Sequence, residues 1–304
     1  MNSPQISVIM LTYNRENLVS CAIESILAQT FQNYEFIIVD NGSTDSSGEV
    51  AEKYAAIDAR IRVIHRERGN IGIGRNTGLD AAVGEYIAFI DDDDYCEPDF
   101  LSFLYNMAVS SNADVAVCGS NLLVNDEKEI MSAEDAVRSL LQRKRYNVAF
   151  PTKLIRSSLF ETHRFKNSGK YDDIYLMPII LAYANKVVYH GLPKYTFNRH
   201  NNNNSAWTTD HSLINPEILH EYLDVYRQRT VWLSERFPSS IEKWKYFEWS
   251  FMLSMVEKVT RLKLESCYDL CNSLTAELKA NHDAILGSSL VQSFEREWMA
   301  ALVL

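Results

Sequence analysis

Short apolar runs alternate with helix-spaced apolar positions from residue 6 to about residue 125. The runs 6–11, 36–39, 61–64, 86–90 and 115–117 are rich in Val, Ile and aromatics and read as buried strands. Between them, helical spacing appears in Leu18, Ala22 and Ile26, then in 50–56, 79–83 and 100–109. Strands and helices in strict alternation predict an α/β fold with a doubly wound, mainly parallel sheet. A capped amphipathic helix follows over 132–146, then a mixed segment with apolar runs at 186–189 and 195–197. The tract Asn201–Asn204 suits neither helix nor strand and marks a loop. A boundary is expected there, giving an α/β domain over 1–205 and a helical appendage over 206–304. In the appendage Trp244, Phe247, Phe251, Met255, Val259 and Leu262 form a bulky stripe. It reads as helical core or a homo-oligomer contact, with an amphipathic surface docking peripherally on a membrane as the alternative.

Ligands of such sheets gather outside the C-terminal ends of the strands. Three polar clusters lie at those ends: Thr12, Tyr13, Asn14 and Arg15; then Asp40 through Asp45; then four consecutive aspartates, Asp91–Asp94. Packed carboxylates repel one another, so their grouping at a strand end points to a bound cation. Hard oxygen donors with no soft Cys/His pair beside them suit Mg or Mn, and the spacing lacks the alternation of a calcium loop. The plainer reading is a solvated acidic turn opening a helix at Pro98 and Asp99.

Composition narrows the classes. At 304 residues and 46% hydrophobic the chain can bury a sizeable core. A net charge of -10 argues against nucleic-acid binding by phosphate neutralisation and against broad adhesion to anionic lipid. Residues 1–5 lack the regions of a signal peptide, and no run approaches the roughly 20 apolar residues of a membrane span, so a cytoplasmic protein is expected. Five scattered cysteines read as reduced packing residues.

The segments 7–14 (SVIMLTYN), 39–45 (VDNGSTD) and 70–78 (NIGIGRNTG) precede the aspartates in that order. Together they resemble the family 2 glycosyltransferases of bacterial glycan synthesis, whose GT-A fold binds a nucleotide-sugar at this crevice. The resemblance covers residues 5–205 with two departures: Asn41 stands where the family commonly has Asp, and Gly74 where it commonly has Ala.

The resemblance implies an inverting, metal-dependent transfer from a nucleoside diphosphate sugar, UDP-linked, to a hydroxyl of a glycan or lipid-linked oligosaccharide. Thr12, Tyr13, Asp40 and Arg75 would form the nucleobase slot beside Asn14, with Asp40 on the base edge; capping of the following helix is the alternative for Asp40. Asp91–Asp93 match the family's Asp-any-Asp motif, with Asp93 on the Mn or Mg ion and Asp91 or Asp92 on the ribose. The acidic pair Asp172 and Asp173 stands where the family places its base, with Asp173 the candidate and Asp172 orienting the acceptor or exchanging roles; two acids favoured by a helix dipole are the plainer account. Arg199 would offset phosphate charge and His200 complete the metal shell.

Two other functions compete. A sugar nucleotidyltransferase would be expected to carry a glycine-rich basic loop after the first strand, which Thr12–Glu16 lacks. A catalytically idle scaffold of the same fold has little reason to keep clustered acids.

Overall fold

The structure, a computed structural model, describes residues 3–167, 171–199 and 210–303. They form two compact units, Met1–Asn198 and Arg199–Leu304.

The first unit runs β1 (Ile6–Thr12), α1 (Val19–Leu27), β2 (Tyr34–Asp40), α2 (Ser47–Ala55), β3 (Ile61–His65), α3 (Ile71–Ala81), β4 (Tyr86–Asp91), β5 (Tyr95–Cys96) and α4 (Phe100–Ser111). It continues through β6 (Val115–Ser120), β7 (Lys128–Met131), α5 (Ala133–Gln142), β8 (Lys153–Arg156), α6 (Leu159–Thr162), α7 (Asp172–Tyr183) and β9 (Val187–Thr196). The sheet order is β3-β2-β1-β4-β8-β6-β9-β5, with β7 also on β9. The first four strands are parallel, as is the β6–β9 pair, whereas β8 runs antiparallel between β4 and β6. This is the expected α/β architecture with a mixed second half.

Near-continuous apolar runs explain the parallel half, because its strands are covered on both faces. Ile6, Val8, Ile9 and Met10 of β1, and Phe36, Ile37, Ile38 and Val39 of β2, are fully buried. Each such side chain contributes about 1.5–3 kcal/mol on burial. The ends of β1, β2 and β4 are level in register, with Thr12 opposite Asp40 and Leu11 opposite Asp91. Polar residues that follow these strands therefore share one rim.

Two expectations needed revision. The glycine-bearing stretch before residue 79 is helical: α3 begins at Ile71 because the Asn70 side chain accepts a hydrogen bond from the Ile73 N–H at 2.8 Å. The apolar runs at 186–189 and 195–197 merge into one ten-residue strand, β9. All five cysteines are free.

The second unit contains α8 (Pro216–Arg236), α9 (Ile241–Arg261), α10 (Tyr268–Ala280), α11 (His282–Gly287) and α12 (Ser293–Val303). Helix α9 packs against α8, α10 and α12. Trp244, Phe247, Met255 and Val259 of the aromatic stripe are buried, and Phe251 stacks on Tyr226 at 3.9 Å. Four of the six stripe residues are therefore core, while Phe251 and Leu262 are half-buried. Among the described residues, no helix is long and apolar enough to cross a membrane.

Candidate active site

The rim begins where β1 ends. Asn14 adopts a left-handed conformation (φ 51) that asparagine tolerates better than most residues. There its Oδ1 accepts from the Thr44 N–H at 2.8 Å, while its own N–H donates to Ser43 Oγ at 3.2 Å. The loops after β1 and β2 are thereby stitched together. Gly42 (φ 81) is required at the second loop, since a Cβ there would lie 2.6 Å from the Arg68 backbone nitrogen. Thr12 is buried, and Tyr13 carries the Arg68 guanidinium over its ring at 4.3 Å. Tyr13 also donates its N–H to Asp92 at 3.2 Å.

Asp40 closes β2 and is 6% exposed. Its Oδ1 accepts from the Ser43 N–H at 2.9 Å, and its Oδ2 lies 2.9 Å from His65 Nδ1. Burial alone would raise its pKa, but the hydrogen bonds from Ser43 and His65 outweigh it and hold the carboxyl below its ordinary range. Asn41, one of the two family departures, accepts from Arg66 at 2.6 Å and donates to the Gly69 carbonyl at 2.8 Å. An aspartate could not make the second of these bonds.

The four aspartates do not share one role. Asp94 is buried, accepting from the Tyr195 hydroxyl at 2.8 Å and from the Asn198 N–H at 2.7 Å. Asp91 keeps an open side, with its side chain 42% exposed through the mouth of the crevice. Asp92 and Asp93 face Arg15 Nε at 3.7 and 4.0 Å. Burial is the main cause that pushes the Asp92 pKa up to about 7; the Thr12 hydroxyl opposes it and Asp93 adds to it. Burial likewise raises Asp94, with Asp91 and Asp93 adding to it; Asp91 shifts in the same direction through desolvation and the nearby Asp93 and Asp173, an effect that its open side limits and that Arg75 opposes.

Arg75 sits on α3 and is 9% exposed. Its guanidinium lies 3.5 Å from Asp91 and 3.7 Å from Asp173, over the rings of Phe165 and Phe150. Helix α3 comes close enough for this contact because a Cβ on Gly74 would lie 2.3 Å from Leu11 Cδ1, and one on Gly78 2.4 Å from Ile9 Cγ2. Asp173 occupies the first turn of α7, where the helix dipole favours negative charge.

The structure thus brings Thr12, Tyr13, Asn14, Asp40, Arg75, Asp91, Asp92, Asp93 and Asp173 to one end of the sheet. Asp172 opens α7, but its side chain lies outside the description. Arg199 is exposed and belongs to the second unit. His200 lies outside the described residues. Two participants escaped sequence reasoning. The sequence gives the histidines other than His200 only structural or solvated roles, His65 among them, and Arg15 stands in the first polar cluster without a role. Only the charge sign of Arg15 beside the aspartates could have signalled it.

Among the described residues, no group of three or more His, Cys, Asp or Glu side chains is arranged to enclose a metal ion. The donor chemistry still fits a hard cation: Mg and Mn sites on nucleotides use one or two carboxylates, with substrate phosphates and water completing the shell. The charge crowding at Asp91–Asp93 is the strain such an ion would relieve.

Comparison with known proteins yields a family match and the same fold. The family model described as glycosyl transferase family 2 matches residues 7–166. Bacillus subtilis EpsH is 35% identical over 175 residues, covering 54% of this chain and 50% of EpsH, so the match spans about half the length of that relative. The same fold appears in the crystal structure of S. aureus TarS in complex with UDP-GlcNAc, with a TM-score of 0.65 at 19% identity, covering 98% of this chain and 79% of that one. It also appears in the mannosyltransferase PcManGT from Pyrobaculum calidifontis in complex with GDP-Man and Mn2+, with a TM-score of 0.62 at 16% identity, covering 99% of this chain and 85% of that one.

Proposed function

Because this chain belongs to glycosyl transferase family 2, we propose that its crevice carries out an inverting sugar transfer from a UDP-linked donor to a hydroxyl of a glycan or lipid-linked oligosaccharide. The observation that carries the reading is Arg75, which spans the acidic turn at Asp91 and the acid at Asp173. Donor-holding and proton-accepting groups are thereby within one side chain of each other.

In this reading Asp40 accepts a hydrogen bond from the base edge, and Thr12, Tyr13 and Asn14 wall the slot. Asp91 or Asp92 takes the ribose hydroxyls. Asp93 would hold the cation, and Mn or Mg when bound neutralises charge growing on the departing diphosphate. His200 and Arg199 are assigned by resemblance to the metal shell and the phosphates, and Asp172 to acceptor orientation. Asp173 removes the proton of the acceptor hydroxyl as its oxygen bonds to the anomeric carbon. The bond from that carbon to the phosphate oxygen breaks, and the diphosphate leaves with the electron pair. Arg75 aims the Asp173 carboxylate through their ion pair. In this reading the enzyme works in the cytoplasm and reaches a lipid-linked acceptor at the membrane surface.

Release of free UDP from UDP-sugars in the presence of Mn tests the reading. Turnover by the unmutated chain and its loss in Asp93→Ala are expected. Donor binding without any turnover would favour an idle scaffold.

A further inference from the structure

His65 ends β3 as the register partner of Asp40 on β2, and its ring joins two carboxylates. Nδ1 lies 2.9 Å from Asp40 Oδ2, and Nε2 lies 2.9 Å from Glu52 Oε1 on α2. The other Asp40 oxygen is held by the Ser43 N–H. Both oxygens are therefore directed, and each keeps a lone pair for a ligand. Room for the bridge depends on Gly48, where a Cβ would stand 2.6 Å from Asp40 Oδ2 and 3.1 Å from His65 Cε1.

We propose that His65, braced by Glu52, is the positioning residue that fixes Asp40 for the nucleobase, so that donor affinity weakens when the imidazole loses its proton. The inference rests on the reading of Asp40 as the base-edge acceptor. A doubly protonated ring donates to both carboxylates, whereas a neutral ring donates to one and turns a lone pair on the other. The titratable groups facing the ring are Asp40 from β2 and Glu52 from α2, and hydrogen bonds to them raise the imidazole pKa above its ordinary value. Because the folded value is the raised one, the bridge is complete below about pH 6.5 and is lost as pH rises through the folded value. With the ring 51% exposed, solvent screening keeps the effect moderate.

Calorimetric titration of UDP with Mn, from about pH 6 to about pH 9, tests this on the wild-type chain, His65→Gln, Glu52→Gln and Asp40→Asn. Taking the ratio of wild-type to His65→Gln affinity cancels the titration of UDP itself. That ratio should fall from roughly five- to tenfold at the acid end toward unity at the alkaline end. Glu52→Gln, which keeps the ring and lies away from the donor, should move the fall to lower pH. A ratio that stays flat, or a wild-type to Glu52→Gln affinity ratio that does not change with pH, overturns the proposal; the second ratio also cancels the titration of UDP and needs no His65 variant. Wild-type affinity in Asp40→Asn would instead overturn the nucleobase reading itself.

Discussion

Arg75 and Asp173 approach to 3.7 Å although they come from α3 and α7, helices far apart in the sequence. The same guanidinium reaches Asp91 at 3.5 Å, so one cation neutralises acids from two separate elements. Removing it leaves both carboxylates in a partly closed crevice with fewer counter-charges. Arg75→Met should cost about 1–3 kcal/mol in urea unfolding, less than a fully buried pair because Asp91 and Asp173 keep some solvent. Urea midpoints equal to wild type would show the ion pairs to be idle.

Asp173→Asn keeps the size and first-turn position of the side chain but cannot accept the proton. Its turnover number should fall about 10²–10⁴-fold with donor KM little changed, because the loss is confined to the chemical step. Steady-state kinetics separates the two constants. A raised KM with full turnover would move the base role to another residue.

Asp94 differs from its three neighbours, being turned inward to Tyr195 and Asn198. Asp94→Ala strands a phenol and a backbone N–H, and should cost about 2–3 kcal/mol. Thermal melts of Asp94→Ala and Asp93→Ala in EDTA should therefore differ, with only the first strongly destabilised.

Lys153 is completely buried on β8, donating to the Ala149 carbonyl at 2.6 Å and Thr152 Oγ1 at 3.3 Å. Burial brings its pKa down to about 7, against the smaller pull of Cys118 and Asp173. The unfolded chain then binds more protons than the folded one from about pH 7 to about pH 10, so stability attributable to this group rises with pH in that window. The slope should approach about 1.4 kcal/mol per pH unit. Subtracting urea stabilities of Lys153→Met from wild type across the window isolates it, and a zero slope in the difference would refute it.

Much of the parallel half was legible because two-sided burial writes itself as apolar runs, and the polar residues after each run mark the rim. Strand β8 was not, since it begins with Lys153, a residue type that composition assigns to the surface. Nor could the sequence separate Asp94 from Asp91–Asp93. Which acid turns inward depends on the Tyr195 hydroxyl, delivered by a strand that forms only when two apolar runs join across Gly191 and Pro193. The Arg75 bridge was hidden for the same kind of reason. Its rim position follows from the motif order, but its partners follow from how α3 and α7 seat against the sheet.

Gly74 gives that seating a practical meaning. With only a hydrogen between α3 and the Leu11 methyl, the helix has no spacer, and the reach of its guanidinium is set by this single absent methyl. An alanine there would act as a shim, easing the helix outward or rotating Leu11 aside. The width of the crevice in this chain is thus adjustable from the sheet-facing side of α3.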